Sequence, residues 1–300
     1  MDIALSIGNF DAVHHGHVKI VKAAREAVGE GRVVLWSFNP SPTTILRPEL
    51  KVEQLTMFST RRNLLLEAGA DEVVALTPTK ELLSQSPEQF VKYFVKSVSP
   101  QFVVEGEGFH FGRNRSGTLA DLQKMGPSYA FSTIRVPPVE LALRDRSIHR
   151  ASSSLVRKLI KLGRVEDATI VLGRPVTIMG TVVEGDQRGR LMHFPTANIG
   201  KIETLLPAEG IYAGRGVLED GTVFPAAISI GTKPTFGLNE TVCEAHLIGY
   251  DGEADMYGWQ LTLRFDHWLR DQIRFDSVEE LKVAIQADVE KTTRLFERNP

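Results

Sequence analysis

The sequence is poor in cysteine: Cys243 is the one thiol in 300 residues. An internal disulfide is therefore excluded, and a reducing compartment is expected. Long apolar runs are missing too, and none approaches the ~18 residues of a membrane span. The start of the chain has neither the basic nor the apolar segment of a signal peptide, so a cytoplasmic protein is expected. Charge of one sign is not in excess. A net value of −2 gives no electrostatic reason to expect a nucleic-acid or membrane partner. No internal repeat or low-complexity tract is visible. What is present is an ordinary globular composition, and the length points to two domains or one large one.

The most informative stretch lies near the start: Gly8-Asn9-Phe10-Asp11-Ala12-Val13-His14-His15-Gly16-His17. Residues 2–7 before it alternate like a strand. After it, Val18, Ile20, Val21, Ala24 and Val28 recur at helical spacing up to Gly29-Glu30-Gly31. A strand thus enters a turn that opens a helix. The free N–H groups and positive dipole end of that helix suit phosphate. His14 and His17, three apart, share a face once the helix has begun. Two imidazoles there suit a triphosphate; metal ligation and a merely polar helix start are the alternatives. His-x-Gly-His at this place resembles the signature of the nucleotidyltransferase superfamily.

Further strands are expected at 33–38, 72–76, 102–105 and 131–136, with helices between them. One helix starts at Ser86-Pro87-Glu88-Gln89, which has the pattern of a capping box with Pro at the first position. Alternation of this kind predicts an α/β domain with a largely parallel sheet, whose ligands bind beyond the carboxyl ends of the strands. The histidine turn, the Asn39–Pro42 loop and the glycine-rich loop 106–117 all leave strands there. Loop 106–117 reads either as a phosphate and aromatic clamp or as a plain surface loop. Hydroxyls at Ser152, Ser153 and Ser154 cap a further helix or bind phosphate, with Arg157 one turn on.

In order and spacing, these four motifs resemble the adenylyltransferase half of the bacterial bifunctional riboflavin kinase/FMN adenylyltransferase family. The resemblance implies a Rossmann-like nucleotidyltransferase domain over residues 1–172. It implies ATP contacts from Gly8, Asn9, Phe10, Asp11, His14, His17, Ser152, Ser153, Ser154 and Arg157. It implies FMN contacts from Asn39, Pro40, Ser41, Gly108, Phe109 and Phe111. Departures stand at Ala12 for the family's Gly, Ser41 for His, Gly108 for Asp or Asn, and Ser154 for Thr. They leave the phosphate end intact and alter the flavin end.

After Leu172-Gly173-Arg174-Pro175 the composition changes. Short alternating runs separated by glycine turns predict a closed or sandwiched antiparallel sheet. A last helix begins at Ser277-Val278-Glu279-Glu280, read as a capping box, and carries Leu281, Ile285, Val289, Thr292 and Leu295 as its packing stripe. Gly185 and Gly189 either form a plain glycine turn or let backbone amides face phosphate, and Thr196 and Asn198 offer hard oxygens suited to Mg²⁺. On strand 242–248, Glu244 and His246 share one face, and Cys243, Ala245 and Leu247 the other.

Phe194-Pro195-Thr196-Ala197-Asn198 closely resembles the riboflavin kinase signature of the same family. The resemblance implies a riboflavin-kinase-like β-barrel with a C-terminal helix over residues 173–300. It implies Mg·ATP binding by Gly185, Asp186, Arg188, Gly189, Arg190, Pro195, Thr196 and Asn198, the metal being held by Thr196 and Asn198. It assigns Glu244 as base toward the riboflavin 5′-hydroxyl, with Tyr257 and Arg270 near the flavin. The whole chain then makes FMN from riboflavin and ATP, and FAD from FMN and a second ATP, with His14, His17 and Arg157 acting in the second step. The alternatives are a riboflavin kinase with an inactive first half, motivated by Ser41 and Gly108, and a flavin-responsive regulatory or RNA-binding protein. Oligomeric state is not legible in the sequence.

Overall fold

The computed structural model describes residues 1–50, 52–185, 194–235, 238–252 and 257–297. The chain divides into two compact units, Met1–Ala142 with Ser147–Ser153, and Leu143–Arg146 with Ser154–Pro300.

In the first unit β1 (Ile3–Gly8), α1 (His15–Val28), β2 (Arg32–Phe38), α2 (Pro42–Leu46), α3 (Phe58–Glu67) and β3 (Glu72–Leu76) follow in order. Then come α4 (Lys80–Ser84), α5 (Pro87–Val98), β4 (Phe102–Gly106), β5 (His110–Phe111), β6 (Gly117–Thr118), α6 (Leu119–Met125) and β7 (Ser132–Val136). The five long strands pair in parallel in the order β3-β2-β1-β4-β7. Both sheet faces are covered, so β1 is buried at consecutive positions rather than alternating as its sequence suggested. Leu5, Ile7, Val34, Trp36 and Val103 pack with Phe90, Val91 and Phe94 of α5 on one side. Ala4, Val33, Leu35 and Val104 pack with Val21 and Ala24 of α1 and Leu65 of α3 on the other. The sequence order turns back at β1, between β2 and β4, and the histidine turn leaves the sheet at that point.

Helix α5 has the expected capping box, with Ser86 and Gln89 each bonded to the other's backbone amide. The 106–117 segment is more ordered than a plain surface loop. His110 pairs with Thr118 and Phe111 with Gly117, and the Phe111 ring is buried in the core beside Phe90. A second small hairpin, β8 (Glu140–Ala142) with β9 (Ile148–Arg150), had no legible signal.

The second unit holds α7 (Ser153–Lys161) from Ser154 onward, and α8 (Val165–Leu172). It continues with β10 (Val176–Val183), β11 (Ala197–Gly200), β12 (Gly210–Val217), β13 (Val223–Thr235), β14 (Leu238–Leu247), β15 (Gln260–Arg270) and α9 (Val278–Glu297). The six strands close as β10-β11-β14-β13-β12-β15. Ile178, Ile228, Ile230, Leu261, Leu263 and Phe265 fill the interior. The cap of α9 is offset by one residue from expectation. Ser277 Oγ accepts from the Glu280 amide at 3.2 Å, but the Glu280 carboxylate reaches the Asp276 amide rather than that of Ser277. The α9 stripe is centred on a polar group. Asp288, only 8% exposed, grips Arg270 through Nε at 3.0 Å and Nη2 at 2.6 Å.

Composition changes at Gly173, yet the compact unit begins earlier, because α8 packs on β10 and β15. Val165, Ala168, Val171 and Leu172 are buried. The Trp268 ring lies so close over Gly163 that an added Cβ would sit 2.4 Å from it, and the Ala208 amide donates to Ile160 at 3.1 Å. Burial of three Val or Leu side chains stabilises by on the order of 5 kcal/mol. A fragment starting at Gly173 is therefore expected to unfold at a clearly lower temperature than one starting at Leu143. Calorimetry of the two fragments measures this, and equal melting temperatures would show that α7 and α8 add nothing to the barrel.

Candidate active sites

The first site is a turn built on unusual backbone. Phe10, Ala12 and Val13 have φ of 48°, 77° and 45°, in the region L residues avoid. At Ala12 the side chain adds a cost of about 1–2 kcal/mol, which a glycine would not incur. The turn is held against this strain by Asp11. Its carboxylate accepts from the amides of Leu55 at 3.1 Å and Thr56 at 3.0 Å, and from Thr56 Oγ1 at 3.1 Å. The Ala12 amide donates to Thr56 Oγ1 at 3.2 Å, and Ser153 Oγ donates to the Asp11 carbonyl at 2.7 Å. Asp11 and Ser153, both expected among the ATP contacts, are thus engaged in shaping the turn. Phe10 is buried as well, with its ring edge-on to His17 at 5.2 Å.

His14 caps α1. Its Nδ1 accepts from the Gly16 amide at 3.1 Å, so the neutral ring carries its proton on Nε2. The rings of His14 and His17 stack at 3.7 Å, as their spacing on one helical face predicts. Asn9 is exposed at the same turn, directly after Gly8 closes β1. Ser152 stands with Ser153 at the end of the first unit, whereas Ser154 and Arg157 belong to the second.

Arg61 escaped the sequence reading, where it looks like one of two ordinary helix arginines. It is 4% exposed. Its Nη1 donates to the carbonyls of Asn9 at 2.9 Å and Phe38 at 3.0 Å, and its Nη2 to Thr56 at 3.2 Å. Burial lowers its pKa, and Asp11, 3.8 Å away, opposes that shift.

Of the expected flavin residues, Asn39 is anchored by its amide to the Leu76 carbonyl at 3.0 Å, Pro40 is exposed, and Ser41 opens α2. Phe111 is a core residue, and Phe109 stacks on it with ring planes 17° apart. Of these two rings, Phe109 is the one only partly buried. Gly108 is exposed, lacks the left-handed φ that demands glycine, and has room for a Cβ, 3.6 Å from Arg150 Nη2.

The second site lies on the outer face of the barrel. Cys243 and Ala245 point into the core, where burial pushes the Cys243 thiol up, so Glu244 and His246 point outward as expected. Register then adds what periodicity could not. Asn198 is the cross-strand partner of Glu244, and Ser229 is its partner on the other side. An added Cβ at Gly185 would lie 2.1 Å from Asn198 Nδ2, so only glycine lets the backbone lie against that amide. His246 Nδ1 donates to the Pro195 carbonyl at 2.8 Å, and Phe194 packs edge-on to the same ring. This pins Thr196 near the pair. Tyr257 is 41% exposed, while Arg270 is committed to Asp288 rather than held open toward a ligand. Asp186, Arg188, Gly189 and Arg190 lie outside the described residues.

The FAD synthetase family model matches residues 1–151, and the riboflavin kinase family model matches 172–296. The bifunctional riboflavin kinase/FMN adenylyltransferase of Escherichia coli K12 is 31% identical, with 97% of this chain and 92% of that protein covered. The chain belongs to that bifunctional family. The Pseudomonas fluorescens member is 34% identical over 95% of this chain and 90% of its own, and the Bacillus subtilis member 29% over 97% and 92%. A solved Streptococcus pneumoniae chain, described as a macrolide-efflux protein, shares the fold over 97% of this chain and 94% of its own, at TM-score 0.87 and 28% identity. The left-handed φ at Ala12 is a conformation that glycine would adopt without the steric cost of a side chain.

One further group in the first unit stands out. The β1–β4 ladder is short, and where it stops the Ile7 amide donates to the Glu105 side chain at 2.7 Å. Glu105 is 3% exposed. Burial raises its pKa well above the usual carboxylate range, with the Ile7 amide opposing. The folded state therefore holds this proton more tightly than the unfolded one. The associated stability is complete below the unfolded pKa and is lost as pH rises through the folded one. Glu105→Gln removes the titration. Melting temperature plotted against pH should fall over that window in the parent and stay flatter in the variant; parallel curves would mean that Glu105 keeps an ordinary pKa.

Proposed function

We infer that the two units carry out consecutive steps of flavin cofactor synthesis at two separate ATP sites. What carries this reading is that each compact unit holds its own cluster of expected site residues, at the sheet switch point in one and on the barrel's outer face in the other. In the second unit riboflavin becomes FMN. Glu244 accepts the proton of the 5′-hydroxyl as that oxygen attacks the γ-phosphorus of ATP, and ADP leaves. Thr196 and Asn198 bind the nucleotide end, beside Gly185. They also present the hard oxygens that fit Mg²⁺, which would neutralise phosphate charge there. Tyr257 stands near the flavin.

In the first unit the phosphate of FMN attacks the α-phosphorus of a second ATP, and pyrophosphate leaves. That nucleophile is already ionised and needs no base. The step needs alignment and charge neutralisation, supplied within this unit by His14 Nε2–H, His17 and the α1 amides. Asn39–Ser41 and Gly108–Phe109 frame the flavin. Among the described residues no helix is long and apolar enough to cross a membrane. The reading places the enzyme in the cytoplasm, a reducing compartment that suits its single buried thiol.

Two substitutions separate the steps. Glu244→Gln should reduce FMN formation by ~10²–10⁴, the scale of general-base catalysis, while FAD formation from supplied FMN continues. His17→Ala should reduce the adenylyl step by ~10²–10³ and spare FMN formation. Riboflavin, FMN and FAD resolved after incubation with ATP give both rates. Loss of both activities in either folded variant would defeat the two-site reading.

The altered flavin end should make the second step dependent on high FMN. Two missing hydrogen bonds of ~0.5–1.5 kcal/mol each correspond to a roughly 5- to 150-fold weaker grip. Gly108 accepts a side chain without strain, so Ser41→His with Gly108→Asp should lower KM for FMN and leave KM for ATP in place. A parent enzyme already saturated by low FMN, and made worse by the double substitution, would show that other contacts frame the flavin.

A further inference from the structure

We propose that Arg61 is a positioning residue of the adenylyl step, fixing the angle at which the histidine turn and the Asn39–Pro42 loop leave adjacent strands. The proposal rests on the reading that these two segments hold ATP and FMN.

Strands β1 and β2 are paired as far as Gly8 opposite Ser37. Beyond that pair the ladder ends and the two backbones part, one into each loop. The next carbonyls, Asn9 and Phe38, are where the ladder's hydrogen bonds cease. Arg61 Nη1 bonds to both, at 2.9 and 3.0 Å. One nitrogen therefore ties the roots of the two loops together. Ser37 Oγ reinforces the knot, accepting from Nη1 at 3.3 Å and donating to the Asn9 carbonyl at 3.2 Å. The second fork nitrogen reaches the Thr56 carbonyl, and Thr56 in turn holds Asp11 and Ala12 of the turn. The circuit closes on the residues just before His14.

Arginine suits this place by shape. Its planar fork offers donors in fixed directions to several acceptors at once, whereas lysine has a single nitrogen on a flexible stem. The side chain comes from α3, behind the strands, and is buried, so it can set loop geometry without meeting either substrate. A shift of about 1 Å in such a frame is enough to cost ~10²-fold in rate.

The test uses the full-length enzyme, with riboflavin phosphorylation as the internal control. Arg61→Lys should leave FMN formation unchanged and lower the adenylyl kcat by ~10–100-fold, with KM for ATP and for FMN moving less than kcat. Combined with His17→Ala, the loss should be smaller than the product of the two single losses, because both act through one turn. A purely structural role would show neither the kcat-weighted loss nor this coupling. Ser37→Ala, a milder change, should lower adenylyl kcat several-fold with melting unchanged, and it decides the matter if Arg61→Lys fails to fold. The proposal is overturned by an Arg61→Lys enzyme within twofold of the parent, by strictly multiplicative losses, or, where the lysine variant does not fold, by a Ser37→Ala enzyme of parental kcat. Full adenylyl activity in His17→Ala alone would instead remove the assignment of the histidine turn.

Discussion

A parallel sheet stops by leaving its last amides and carbonyls without ladder partners, and in the first unit buried ionisable side chains take over such bonds. Glu105 takes the Ile7 amide and Arg61 the Asn9 and Phe38 carbonyls, while Asp11 takes the amides of Leu55 and Thr56 in the segment before α3. Each substitution lies within a few residues of a loop expected to hold substrate. Buried polar groups left unsatisfied cost about 1–3 kcal/mol apiece, so the loops cannot drift without breaking these bonds. The strain of three left-handed residues in the histidine turn is tolerated because the surrounding bonds over-determine the backbone there.

The barrel solves its positioning problem differently. Its interior is apolar and closed, so a polar site has to stand on the outer face. The period of two places Glu244 and His246 there, and antiparallel register sets Asn198 and Ser229 on either side of Glu244. Strand pairing thus aligns the group that would take a proton with the group that would hold the nucleotide. Rigidity comes first from the ladder. Side-chain clamps add to it: Arg215 with Asp266 joins β12 to β15, and Arg270 with Asp288 ties α9 to β15.

Much of this was legible in the sequence because it depends on local patterns. The five parallel strands, the start of α1, the Ser86 cap and the outward face of β14 follow from periodicity and capping chemistry. The His14–His17 stack follows from helical spacing. What was not legible depends on partners distant in sequence. Register between β11 and β14 cannot be read from either strand alone. Arg61 sits beside Arg62 and carries no local mark of burial. Phe111 resembles a loop aromatic until its partner strand is known. The composition shift at Gly173 records a change from helices to strands, whereas the compact unit is set by where α8 packs.

The two proposed chemistries explain why acidic groups are handled so differently in the two units. An alcohol must lose a proton to attack phosphorus, so the barrel site needs a carboxylate on the face where substrate sits, and Glu244 is there. Adenylyl transfer instead brings the phosphate of FMN against a triphosphate, and any further negative charge nearby opposes that approach. In the first unit Asp11 is surrounded by backbone donors and Arg61, while Glu105 is driven toward its neutral form by burial. Both acids are engaged with backbone amides. The imidazoles and the free amides at the start of α1 are then the groups left to meet the charge of two polyanions.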